Sequence, residues 1–204
     1  IFYAIKSLRS GKIVYLRISN HDLGAKVVVR MPRTLRLILG DQLNIHHTWF
    51  AAGPDSQISY VLMEIRQETD YVLHHIQKMA AFFLAMRAFC QFLRQLGHNV
   101  HYIYLDAPDN TQSLRDNITK LMTENGYARF EYQYPDEYRL DQQLHSLAVS
   151  APFPCQGVDS EHFLTSRDEL ASLMQGKMAY RMEHFYRHMR RKWDILMHEG
   201  RPVQ

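Results

Sequence analysis

The sequence predicts an α/β fold: an open parallel sheet of about five strands with helices on both faces, a Rossmann-like domain, followed by a helical segment. Three observations carry this expectation. From residue 31 onward, short β-like runs alternate with longer helical patterns. The apolar run in "RLILGDQLN" reads as a buried strand that opens directly into a Gly-Asp-Gln turn. The chain of 204 residues, 46% hydrophobic and 22% charged, suffices for one sizeable core and not for two.

Residues 1–30 hold two β-like runs, "KIVYLRIS" and "AKVVVR", and no apolar block of a signal peptide. The first methionine, Met31, stands directly before "PRTLRLILG". Residues 1–30 are therefore expected to be an extension upstream of the native domain, with an N-terminal hairpin as the alternative. Strands are expected at 35–39, 60–64 ("YVLME"), 100–105 ("VHYIYL") and 129–133, with a weaker fifth around 157–163. Between the first two strands, "NIHHTWFAAGPDSQIS" reads as a polar connection broken by Gly-Pro.

Helices follow from 3.6-residue spacing. Over 71–96, Ile76, Met79, Ala80, Phe83, Met86, Cys90 and Leu93 recur on one stripe, and Gly97 supplies a left-handed stop. Phe82, Phe89 and Phe92 widen that stripe beyond one face, so a partner surface besides the sheet is expected, and part of the stripe exposed. Shorter helices fit 111–124, 136–147 and 166–174. The last, in "AYRMEHFYRHMRRKWDILM", is amphipathic and basic. Met182, Phe185, Tyr186, Met189, Trp193, Leu196 and Met197 form its apolar stripe, with Arg181, Arg187, Arg190, Arg191 and Lys192 mostly elsewhere. Beyond it, "ILMHEGRPVQ" reads as turn-like, with no closing element.

A net charge of +3 permits a nucleic-acid or phosphate partner without requiring one. Two cysteines, Cys90 and Cys155, form neither a disulfide framework nor a four-thiolate cluster, and a reducing cytoplasm is the simplest setting. No apolar run approaches the ~20 residues of a membrane-spanning helix.

In an open parallel sheet, ligands lie above the carboxyl ends of the strands. The sequence places Gly40, Asp41 and Gln42 there after the first strand, and Glu64 and Glu68 after the second. Asp106 follows the third, and "YPDEYR", with Glu137 and Arg139, the fourth. Glycine spacing after the first strand excludes a dinucleotide fingerprint. A crown of carboxylates with few lysines would repel a pyrophosphate, yet can accept hydrogen bonds from a hydroxyl-rich ligand. The competing account is that Asp41, Asp106 and Asp136 are turn formers or helix caps. The pairs His46-His47 and His74-His75 are poor chelators, since neighbours on a helix point about 100° apart. The basic final helix is either a phosphate-binding surface or a solvated cationic face over a core stripe. Neither a nucleophile-elbow serine nor a phosphate-binding Walker loop is present.

The ordered motifs "LRLILGDQLN", "VLMEIRQETDYVLHHIQKMAAFFLAMRAF", "HYIYLDAPDN", "FLTSRDEL" and "MEHFYRHMRRKWDILMHEGRPV", over about residues 32–203, resemble the deoxyribodipyrimidine photolyase-related proteins. These are the iron–sulfur bacterial cryptochromes and photolyases. The resemblance implies an antenna-binding α/β domain over 31–165 and a linker over 166–204 leading to a helical domain missing from this chain. It implies 6,7-dimethyl-8-ribityllumazine as antenna, with Gly40, Asp41, Gln42, Glu64 and Glu68 at or beside its pocket and the "YPDEYR" turn closing it. FAD and a 4Fe-4S cluster are implied for the missing domain alone, so no repair is expected of this chain by itself. For the full-length protein it implies light-driven repair of UV-damaged DNA, with a blue-light or nucleotide sensor as the alternative. Ile76 stands where the family commonly has a basic residue, and Tyr138 where it commonly has tryptophan.

Overall fold

In the computed structural model, residues 3–6, 13–16, 32–70, 72–176 and 181–203 are described, without the side chains of 3–6, 13–16, 68 and 202. The chain divides into two compact units, Ile1–Val158 and Asp159–Gln204.

The first unit is built on five parallel strands, β3 (Thr34–Leu37), β4 (Ile58–Met63), β5 (Asn99–Ile103), β6 (Arg129–Gln133) and β7 (Cys155–Val158). Their order is β5-β4-β3-β6-β7. The chain thus runs outward from β3 to β5, then returns to the other side of β3. Strand β3 pairs Thr34 with Ile58 on one side and Thr34 with Arg129 on the other. Right-handed crossovers in opposite directions must put their helices on opposite faces, and the two apolar layers follow that rule.

On one face, Leu35, Leu37, Val61, Phe130 and Tyr132 meet Ile118 and Met122 of α2 (Leu114–Asn125) and Leu144 and Leu147 of α3 (Tyr138–Ser150). On the other, Ile38, Tyr60 and Leu62 meet Met86 and Leu93 of α1 (Ile76–Gln95). Each such side chain removed from water contributes about 1.5–3 kcal/mol before entropy is subtracted.

The connection between β3 and β4 is more than a polar loop. Its turn Thr48–Phe50 buries Trp49 and Phe50 against Tyr60, taking the place a crossover helix would occupy. Helix α1 starts later than its periodicity suggests, because His75 caps it by accepting from the Gln77 amide. Its stop is a Schellman arrangement: Gly97 takes φ 91°, with the His98 amide donating to Leu93 and the Gly97 amide to Arg94.

Near the N-terminus, β1 (Tyr3–Lys6) and β2 (Ile13–Leu16) pair antiparallel, while "AKVVVR" lies outside the described residues. The second unit holds α4 (Glu169–Met174) and α5 (Met182–Trp193). Helix α5 ends at Trp193 because Asp194 turns left-handed, φ 53°. The tail then forms a closing hairpin, contrary to the sequence expectation. Strands β8 (Met197–His198) and β9 (Arg201–Pro202) pair around Glu199 and Gly200, both at positive φ as a tight hairpin turn requires.

Candidate functional site

Strands β3 and β6 are neighbours whose exits lead to opposite faces, so the cleft between their carboxyl ends is the switch point of the sheet. A cavity of about 200 Å³ lies beside it, lined from the ends of β3 and β4, from α1 and from the starts of α2 and α3. Its lining is mostly apolar, from Leu37 to Leu39 at the end of β3, Met63 and Ile65 at the end of β4 and just beyond it, and Met79, Phe82, Phe83 and Met86 on α1. Gly40, Asp41, His74, Lys78 and Glu137 supply its backbone and polar lining.

Each predicted site residue has a distinct place. Gly40 admits a ring: a Cβ built there would lie 2.3 Å from Phe82 Cζ and 2.9 Å from Met86 Sδ. Asp41 stands exposed in the turn after it. Glu137 arrives from the turn before α3 and is held by Arg139, whose Nε donates to Glu137 Oε1 at 2.8 Å. Arg139 thus braces a lining carboxylate and is not itself part of the lining.

Gln42 is buried and bridges the two strand exits. Its Oε1 accepts from the Leu39 amide at 3.0 Å, and its Nε2 donates to the carbonyls of Gln133 and Tyr134. Its amide is the fastening that sets the width of the cleft. Glu68 ends the turn Arg66–Glu68; its side chain lies outside the described residues.

Glu64 is drawn away into a lock among β4, α1 and β5. Arg87 donates to both carboxylate oxygens, at 2.6 and 2.8 Å. Tyr102 Oη donates at 2.6 Å and the Leu105 amide at 3.0 Å. Burial alone would raise this carboxyl, but the bonds from Arg87, Tyr102 and Leu105 outweigh it and hold the group below the usual carboxylate range. Tyr102 is pushed above the usual phenol range by burial and by the carboxylate it serves.

The crown of carboxylates expected from sequence therefore becomes a mixed rim. Asp41 and Glu137 share the lining with Lys78, in the first turn of α1, and His74, just before that helix, with Lys78 Nζ 3.4 Å from His74 Nδ1. Sequence reading missed Lys78, because it weighed strand exits alone and not the first turn of the following helix. It also assigned Phe82 to a partner surface, although spacing from Met79 and Met86 sets it on the cavity side. Both histidine pairs use their second member as a cap, His47 Nδ1 accepting from the Trp49 amide at 3.1 Å and His75 from Gln77. Among the described residues no group of three or more His, Cys, Asp and Glu side chains could hold a metal.

One buried side chain near the cleft, unmarked in the sequence, is Gln133 at the end of β6. Both its amide atoms lack a protein partner among the described residues, which is uncommon inside a folded domain.

A five-stranded parallel sheet with apolar layers on both faces and a cavity at its strand exits is an α/β domain of Rossmann-like arrangement. Residues 36–204 match the deoxyribodipyrimidine photo-lyase-related proteins, and the chain belongs to that family. It is 33% identical over 169 residues to a (6-4) photolyase of Agrobacterium fabrum, an alignment covering 83% of this chain and 33% of that protein. The chain thus spans about a third of that relative's length. Among solved structures, a universal stress protein from Archaeoglobus fulgidus in complex with dAMP aligns with a TM-score of 0.35. That alignment has 10% identity and covers 65% of this chain and all of the other. Among the described residues no helix is long and apolar enough to cross a membrane.

Proposed function

We propose that the cavity at the carboxyl end of β3 binds an antenna chromophore, 6,7-dimethyl-8-ribityllumazine, and that the chain is the antenna-binding part of a light-driven DNA-repair flavoprotein. The observation that carries this reading is the cavity's composition, a mostly apolar lining that includes Phe82, Phe83 and Met86, with Asp41, His74, Lys78 and Glu137 as its charged or polar members. About 200 Å³ is small for a whole ligand pocket. It suits a planar bicyclic ring against Phe82 and Met86, with a polyhydroxylated arm in the open mouth. Asp41 and Glu137 would accept from the hydroxyls, while Lys78 would donate to ring carbonyls.

Under this proposal Gly40 lines the site, Gln42, Glu64 and Arg139 shape it without touching the chromophore, and Glu68 belongs to its β4 side. Membership in a photolyase-related family and the likeness to a (6-4) photolyase support a photolyase- or cryptochrome-like role. When bound, such an antenna absorbs light and passes excitation to a flavin. FAD, a 4Fe-4S cluster and the capture of damaged DNA are proposed for the full-length protein in its helical domain, in the cytoplasm.

The test is equilibrium titration of free lumazine with the purified chain, followed by its fluorescence anisotropy. Binding is expected, weakened at least about tenfold in the Asp41→Ala/Glu137→Ala double variant, because each lost charged acceptor is worth about 1.5–3 kcal/mol. An anisotropy that never rises, or a double variant that titrates like the parent, overturns the assignment.

A further inference from the structure

We propose that the outward face of α5, centred on Arg187 and Arg191 with Tyr186 beside them, docks on the phosphate backbone of duplex DNA. The inference rests on the reading of this chain as part of a DNA-repair protein, and assigns to α5 a share of that contact.

Helix α5 carries four arginine and lysine side chains against one acid, Glu183. The structure separates them by task. Lys192 pairs with Glu169 at 2.6 Å, and His188 with the same carboxylate at 3.1 Å. Arg190 closes the end of the helix by donating to the carbonyls of Ile195 and Leu196. Arg187 and Arg191 are exposed and make no such bond among the described residues. They lie four residues apart, hence on one face and about 6 Å apart along the axis. The helix dipole accounts for cations in the last turn but not for Arg187 in the middle.

No side chain of α5 is buried. Tyr186 is 66% exposed and Met182 69%, forming with Glu183, Arg187 and Arg190 a shallow groove of about 290 Å³. A solvated cationic face over a core stripe would have its apolar side chains covered, and here Met182 and Tyr186 are left open. Two unpaired guanidinium forks beside an open aromatic fit phosphodiester oxygens, which accept bidentate donors, better than they fit water alone. A lipid surface is the weaker match. It needs a wide inserted apolar face, whereas Phe185 and Met189 are half-buried and the Trp193 indole donates to the Leu164 carbonyl at 3.1 Å.

The experiment titrates a short fluorescein-labelled DNA duplex with the full chain between about 50 and 200 mM salt. Arg187→Ala/Arg191→Ala should lower affinity at least tenfold at the low-salt end. It should also flatten the slope of log K against log salt by nearly two units, about 0.9 for each phosphate no longer neutralised. Arg187→Lys/Arg191→Lys, which keeps the charge, should restore the slope. Equal affinity and slope in parent and alanine variant overturns the proposal. So does no binding by the parent, or binding confined to phosphatidylserine vesicles. Lumazine titration of the same variants separates this question from the antenna assignment, since neither arginine lines the cavity.

Discussion

At Gly40 the missing side chain lets the Phe82 ring and Met86 sulfur lie directly against the end of β3. A methyl group there cannot be accommodated without pushing the ring into the cavity. Gly40→Ala is therefore expected to cost about 1–3 kcal/mol of stability through overpacking and to weaken lumazine binding more than Asp41→Ala alone, both readable from thermal melts and titration. Glu64 poses a different question, since its carboxylate is fully enclosed while Arg87 is 41% exposed. Glu64→Gln should destabilise by about 3 kcal/mol, the low end for breaking an enclosed pair, because Arg87 can still reach water. Its pH signature has a definite sign. The folded pKa lies below the unfolded one, so the contribution is complete above the unfolded value and disappears as pH falls through the folded one. Acid titration of stability should thus be shallower in Glu64→Gln than in the parent; parallel curves would show that the lock contributes nothing.

Helix α1 shows how one element serves two surfaces. Its inward stripe, Met86, Cys90 and Leu93, is buried, whereas Ala80, Ala81, Leu84, Ala85, Ala88 and Phe92 face outward. The helix has three charged residues. Arg87 is pinned to Glu64, Arg94 donates to the Val100 carbonyl and Lys78 turns to His74. The expectation that part of the broad aromatic stripe is exposed applies to Phe92, 43% exposed, while Phe82 and Phe89 pack inward. Leu93→Ala should cost about 2–5 kcal/mol in chemical denaturation through the cavity it leaves. Leu84→Ala should change stability by less than about 0.5 kcal/mol. Similar losses at both positions would mean that the outer face is covered. Much of this helix is legible from spacing alone, including its stop at Gly97. Its start is not, because a histidine cap carries no strong sequence signal.

Across the whole first unit, β3 is the strand on which the rest depends, since it is paired on both sides and covered by both apolar layers. Amide hydrogen exchange should be slowest in β3 and its neighbours β4 and β6, and faster in the edge strands β5 and β7. Exchange in β7 as slow as in β3 would contradict this layout. The alternation of elements was enough to read the sheet as parallel and its faces as covered, because period and length are local properties of the chain. Strand order is not local. The approach of β6 to β3 creates the cleft and brings Gln42 against the Gln133 carbonyl.

A parallel α/β sheet whose first strand exits through a Gly-Asp-Gln turn is legible in the residues alone, since backbone propensity and apolar spacing act between near neighbours. Which acids reach the cavity depends instead on how segments far apart in the chain pack together. Asp41 and Glu137 meet there because two distant strand exits were brought side by side. Glu64 does not, because α1 set a guanidinium beside it, and a carboxylate enclosed next to four donors is held by them. The same distinction holds in the second unit, where the arginines of α5 look alike in sequence and only their neighbours separate those that tie the fold from those facing outward.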